Sequence, residues 1–153
     1  MKTDLSARFG FLVRETATLY GQQFDRRARE ELGLSQAQVR LLWKLANHGD
    51  EPPSQAELAQ SLGITPMAVA TMCDRLALAG WVERRPHASD RRVNQLHILP
   101  KARDALAHAV QIGDELTAGV LRGFSAAERK QLLALLARAR EGLLEAETKE
   151  STS

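Results

Sequence analysis

The chain is 153 residues long, about the size of one domain, and 44% of it is hydrophobic, enough to bury a continuous core. Lysine and arginine total 21 against 19 aspartate and glutamate, so no overall charge excess names a partner and the placement of charge decides. No run approaches the roughly 20 apolar residues needed to cross a bilayer, and the Phe-Gly-Phe-Leu-Val stretch at 9–13 is too short for a signal-peptide core. A single cysteine, Cys73, excludes an intrachain disulfide and a multi-cysteine zinc site, which predicts a reduced cytoplasmic protein with no membrane partner.

In chain order, Leu5, Phe9, Leu12, Val13, Thr16, Leu19, Tyr20 and Phe24 trace one face of a first helix. Ser35 with Gln38 forms a capping box, predicting a helix through Leu41, Leu42, Leu45 and Ala46 to a turn near Gly49. Pro52 and Pro53 mark another turn, and Ser54 with Glu57 forms a second box. From Glu57 to Arg75 the apolar positions fit two short helices crossing at a tight corner. Leu58, Leu62, Ile64, Val69 and Met72 face a shared core, Ala59 permits close approach, and Gly63 takes the positive φ of the turn. Thr65 caps the second helix and Pro66 opens it, where a missing N–H costs nothing. This is the pattern of a helix-turn-helix, whose second helix enters the DNA major groove in many proteins.

Two extended stretches follow, Trp81 to Arg85 and Val93 to Ile98, with Leu96 and Ile98 alternating with Gln95 and His97 as in a half-buried strand. Pro86 limits the first strand, and Ala88, Ser89 and Asp90 lie at the tip. Arg84, Arg85, Arg91 and Arg92 oppose only Asp90 between positions 84 and 92, a local concentration of basic charge of the kind duplex phosphates attract. An arginine cluster in a loop is also an ordinary solvated surface; the preceding helix-turn-helix makes this hairpin a wing. Pro100 then opens a helix with Ala102, Ala105, Leu106, Ala109, Ile112, Gly113, Leu116 and Val120 on one stripe. Ser125 with Glu128 is a third capping box and starts a final helix carrying Leu132, Leu133, Leu135, Leu136, Ala139, Leu143 and Leu144.

The helix-turn-helix, the Ala-Gly-Trp-Val-Glu-Arg-Arg step at 79–85 and the Ser-Asp-Arg-Arg wing tip at 89–92 resemble the MarR family of transcriptional regulators, and its SlyA-like branch. The likeness runs from about Leu5 to Leu144. It implies that the wing aspartate, Asp90, orients an arginine and that Arg91 and Arg92 reach the minor groove or its phosphates. The reading helix departs from relatives that place long polar residues there, since this chain has Met67, Ala68, Ala70 and Thr71. Thr65 and Thr71 are placed to bond base edges or phosphates, Met67, Ala68 and Ala70 to meet thymine methyls, and Arg75, on one stripe with 67 and 71, to touch a phosphate or pair with a carboxylate. The DNA-binding candidates are therefore Thr65, Pro66, Met67, Ala68, Ala70, Thr71, Arg75, Arg84, Arg85, Asp90, Arg91 and Arg92.

The expected fold is mainly α: a winged helix-turn-helix with a two-stranded β wing at 35–99, flanked by helices at 1–34 and 100–146 that form a dimerisation region, with 147–153 a disordered tail. The flanking faces are too wide for one short neighbour, and interdigitation across a two-fold homodimer covers them; the bland alternative is a monomeric bundle. A dimer should read a pseudo-palindrome on double-stranded DNA with half-sites about one helical turn apart. By the family analogy a small aromatic or anionic effector binds near Arg14, Tyr20, Phe24 and Trp43, although the three aromatics also fit an ordinary core. The regulator is expected to repress or anti-repress. No catalytic constellation appears: nucleophile-elbow, Walker and two-histidine zinc patterns are missing, and His48, His87, His97 and His108 fall on separate elements, so no enzyme, cofactor or metal is expected. Cys73 reads as a small buried hydrophobe. The alternative of another class is a winged-helix protein-interaction module that never touches DNA.

Overall fold

The computed structural model describes residues 3–92 and 94–152 and divides into two compact units, Met1–Leu116 and Thr117–Ser153. Its elements run α1 (Phe9–Leu32), α2 (Gln36–Ala46), α3 (Gln55–Leu62), α4 (Pro66–Leu78), β1 (Val82–Pro86), β2 (Asn94–Ile98), α5 (Pro100–Val120) and α6 (Ala126–Ser151). This is the mainly helical winged-helix architecture expected from the sequence. Val93, expected to open the second strand, lies outside the described residues.

Local chemistry explains the helix boundaries. All three capping boxes form: Ser35 Oγ accepts from Gln38 N at 3.1 Å, Ser54 Oγ from Glu57 N at 3.1 Å, and Ser125 Oγ from Glu128 N at 3.1 Å, each answered by the N3 side chain on the serine amide. Each box satisfies two amides that have no partner inside the helix. Gly63 ends α3 at φ 66, and Thr65 Oγ1 accepts from Ala68 N at 3.1 Å with Pro66 at the first helical position.

The first unit holds one core. Leu41, Leu42 and Leu45 of α2, Leu58, Ala59 and Leu62 of α3, Val69, Cys73 and Leu76 of α4, and Ala102, Ala105, Leu106 and Ala109 of α5 are buried together. Full burial of a leucine or valine side chain contributes about 1.5–3 kcal/mol, so α4 is held by its inner face. The hairpin is antiparallel with Val82 opposite Ile98, Arg84 opposite Leu96 and Glu83 opposite His97. Val82, Leu96 and Ile98 fasten its base to the same core. On α1 only Gly21 and Ala28 are buried, and Gly21 matters because a Cβ there would meet the Gln36 side chain at 2.9 Å.

In the second unit the end of α5 turns through 121–124 into α6, where Arg129 Nη2 donates to the Leu121 carbonyl at 2.8 Å. No residue of α6 is buried. The helix runs through Ser151, into the stretch whose composition suggests a disordered tail. Glu147, Lys149 and Glu150 are good helix formers, and the hydroxyls of Thr148, Ser151 and Thr152 bond carbonyls four residues back.

Gly63→Ala should lower unfolding stability by about 1 kcal/mol. A Cβ there meets open space, so the whole cost is backbone strain and should appear as a lower urea midpoint with an unchanged m-value.

Candidate nucleic-acid interface

Burying Val69, Cys73 and Leu76 turns the opposite stripe of α4 outward, and Met67, Ala68, Thr71, Asp74 and Arg75 are all exposed. Met67 is 79% exposed. Thr65, Met67, Ala68, Thr71 and Arg75 line a hollow of about 450 Å³ together with Ser35 and Gln38 from the start of α2. Ala70 is half-buried and sits on the flank of this stripe. The Thr65 oxygen serves as the α4 cap, leaving its O–H to donate. Pro66 begins the helix that the stripe runs along.

The wing separates its arginines. Side chains alternate across a strand, so Arg84 shares the inner face with Leu96 while Arg85 turns to the other face with Glu83 and His97. Arg84 Nη2 reaches Asp74 Oδ1 of α4 at 2.5 Å, and Arg85 pairs with Glu83. At the tip Asp90 accepts from the Arg92 amide at 3.0 Å and from Arg92 Nε and Nη2 at 3.1 Å each. These hydrogen bonds hold the Asp90 carboxyl below the usual carboxylate range. Asp90 thus orients Arg92, as the resemblance implies, and Arg92 remains 90% exposed.

Among the described residues Arg75 and Arg91 have no anionic partner. A count of wing charge from the sequence alone is therefore too generous for Arg84 and Arg85. Their neutralising partners are Asp74, ten residues from Arg84 on another element, and Glu83, which precedes the stretch from 84 to 92. Burial pushes the Cys73 thiol up, and its side chain is inaccessible.

A second concavity lies apart from the exposed stripe of α4, within the first unit. Tyr20 and Phe24 of α1, Gln36, Val39, Arg40, Trp43 and Lys44 of α2, and Leu106, Ala109 and Val110 of α5 surround about 360 Å³. Tyr20 Oη donates to the Gly113 carbonyl at 3.3 Å. The structure brings together the three aromatics that the sequence singles out, and Trp43 is 48% exposed and no core residue. Arg14 is exposed on α1 and does not line the cavity. Two cations absent from the sequence-based candidates, Arg40 and Lys44, one helical turn apart on α2, line it instead.

A helix-turn-helix with an arginine-bearing β hairpin defines a winged-helix DNA-binding protein. The family model described as MarR family matches residues 34–93. Transcriptional regulator PA3341 is 35% identical to the chain, which covers 98% of that protein over 90% of its own length with a TM-score of 0.72. The wild-type apo MarR of E. coli is 23% identical, with coverage of 86% of this chain and 96% of that one and a TM-score of 0.75. CouR from Rhodococcus jostii RHA1, solved bound to p-coumaroyl-CoA, is 21% identical over 88% and 93% with a TM-score of 0.71. The chain belongs to the MarR family of transcriptional regulators, which bind DNA and are not enzymes. Among the described residues no helix is long and apolar enough to cross a membrane, and no group of acidic, histidine or cysteine side chains is arranged to hold a metal ion.

Native protein at neutral pH should resist thiol-modifying reagents at Cys73 and react fully once unfolded. Rapid modification of the folded protein would contradict the burial.

Proposed function

We propose that the protein is a homodimeric transcriptional repressor or anti-repressor that binds pseudo-palindromic duplex sites and responds to a small aromatic anion. The observation that carries this reading is the outward face of α4, with Met67, Thr71 and Arg75, beside a wing tip whose Arg91 has no anionic partner among the described residues. Met67, Ala68 and Thr71 meet base edges, with Ala70 at the margin. Arg75, Arg91 and the Asp90-oriented Arg92 meet phosphates or the minor groove. Thr65 and the start of α4 at Pro66 approach the backbone. Arg84 and Arg85, each already paired, contribute less.

Large apolar side chains support the dimer. Phe9, Phe11, Leu12 and Leu19 on α1 and Leu133, Leu136, Leu143 and Leu144 on α6 are each about half exposed or more, and apolar surface of that extent marks an interaction face. In this proposal 35–99 is the DNA-binding part and 1–34 with 100–146 the dimerisation part. A two-fold axis then sets the two α4 helices about one DNA turn apart. A SlyA-like place in the family rests on sequence resemblance, and a cytoplasmic site of action on the regulator reading.

The cavity at Tyr20, Phe24 and Trp43 suits an aromatic ring, with Arg40 and Lys44 near to neutralise a carboxylate. The p-coumaroyl-CoA held by CouR supports a ligand-responsive role. A ligand there acts by binding one conformation of the dimer better than the other. The protein-interaction alternative has no supporting observation once the chain stands in a family of DNA-binding regulators.

Duplexes selected from a random pool should show two-fold symmetry, and log affinity should fall against log salt with a slope of about −0.9 per phosphate contact. Arg91→Ala should weaken binding to all sequences and flatten the slope by about 0.9 for each phosphate left without its arginine. Thr71→Ala should change sequence preference, and Arg85→Ala should do less than Arg91→Ala. A flat salt response in the wild type would overturn the reading.

A further inference from the structure

The reading helix is held at both ends, and the hold on its far end comes from a residue outside the helix-turn-helix and the wing. At the C-terminus of α4, Ala79 N donates to the Arg75 carbonyl at 3.0 Å, Gly80 N to Ala77 at 3.1 Å, and Trp81 N to Leu76 at 2.9 Å. Gly80, at φ 78, lets the chain reverse into β1. The Ala79 carbonyl takes its donor from another element: Lys101 Nζ, in the first turn of α5, reaches it at 2.6 Å. The same ammonium lies 4.1 Å from the centroid of the Trp81 ring. Two residues earlier, Leu99 N donates to the Trp81 carbonyl at 3.0 Å.

Residues 99–101 therefore close on 79–81 through two hydrogen bonds and a cation–π contact. Lys101 also supplies positive charge where the α4 dipole is negative, and the only basic residue in the last turn of α4 is the exposed Arg75. The contacts are specific to a lysine or arginine at this position, since a shorter or neutral side chain forfeits both the bond to Ala79 and the attraction to the ring. None of them involves DNA. Their geometric effect is to set how the end of α4 and the start of β1 sit against α5, and hence how the reading helix and wing are presented together.

We propose that Lys101 is a positioning residue for DNA recognition, fixing the tilt of α4 and the wing without touching the duplex. The proposal rests on the DNA-binding reading above. Leu106, Ala109 and Val110 of the same α5 wall the aromatic cavity, so a shift of α5 reaches the reading helix through this clasp.

Lys101→Met keeps the aliphatic stem and removes the charge. Its affinity for a selected duplex should fall about tenfold, as the share of free protein that holds α4 in the binding geometry falls by that factor, while the slope against log salt stays at the wild-type value. Lys101→Arg should recover most of the affinity. Amide hydrogen exchange over 76–82, measured without DNA, should quicken in Lys101→Met and not in Lys101→Arg. A slope flattened by about 0.9 in Lys101→Met would make Lys101 a phosphate contact and overturn the proposal; so would unchanged affinity, or unchanged exchange. Failure of the wild type to bind any selected duplex would sink the DNA-binding reading first, before a variant is compared, and the proposal with it.

Discussion

The inner face of α4 governs the rest. Val69, Cys73 and Leu76 are fully shielded from solvent, and at 3.6 residues per turn that burial leaves one outward stripe, through 67, 71, 74 and 75. Rotating the helix to present any other face would expose this apolar set and push Arg75 and Asp74 into a core that holds no buried polar or charged residue among those described. The neighbours serve the same seat. Ala59 admits α4 close to α3, Leu41, Leu42 and Leu45 floor it from α2, and Val82, Leu96 and Ile98 bring the wing to its end.

Electrostatics then refines what packing allows. Strand alternation sends Arg84 inward to Asp74 and Arg85 outward to Glu83, and Asp90 takes Arg92, so three of the four wing arginines have an anionic partner within the protein. Asp74 lies on the exposed stripe of α4, and Arg84 offsets its charge there. Arg91 and Arg75 lack an anionic partner among the described residues, and Arg92 is held by Asp90 while staying exposed. In the proposed reading, a chain of nearly balanced net charge presents a small basic grip beside an apolar and hydroxylated surface, an arrangement that favours base contacts and groove shape over indiscriminate adhesion to phosphate.

Much of this was legible in the sequence because the signals are local. The serine boxes at 35, 54 and 125, Gly63 at its turn, and Thr65 with Pro66 each declare a boundary within four residues, and the Asp90–Arg92 contact spans two. What was illegible depends on distance along the chain. Nothing in the wing's own sequence announces that Asp74 will take Arg84. Arg40 and Lys44 look like solvated helix surface until α1 and α5 bring Tyr20, Phe24 and Val110 beside them, and Arg14, near Tyr20 in sequence, lies outside that cavity. The polar composition of 147–153 suggests disorder, whereas backbone hydrogen bonding and helix-forming side chains carry α6 on through Ser151.

The central claim is that two copies of α4 and its wing engage one duplex in register. Hydroxyl-radical footprinting on a selected duplex tests it most directly. The account predicts two protected patches related by a dyad, their centres about 34–36 Å apart along the helix axis, each flanked by protection across the minor groove where the wing tip lies. A single unrepeated patch, or uniform cleavage along a duplex that the protein demonstrably retains, would contradict it.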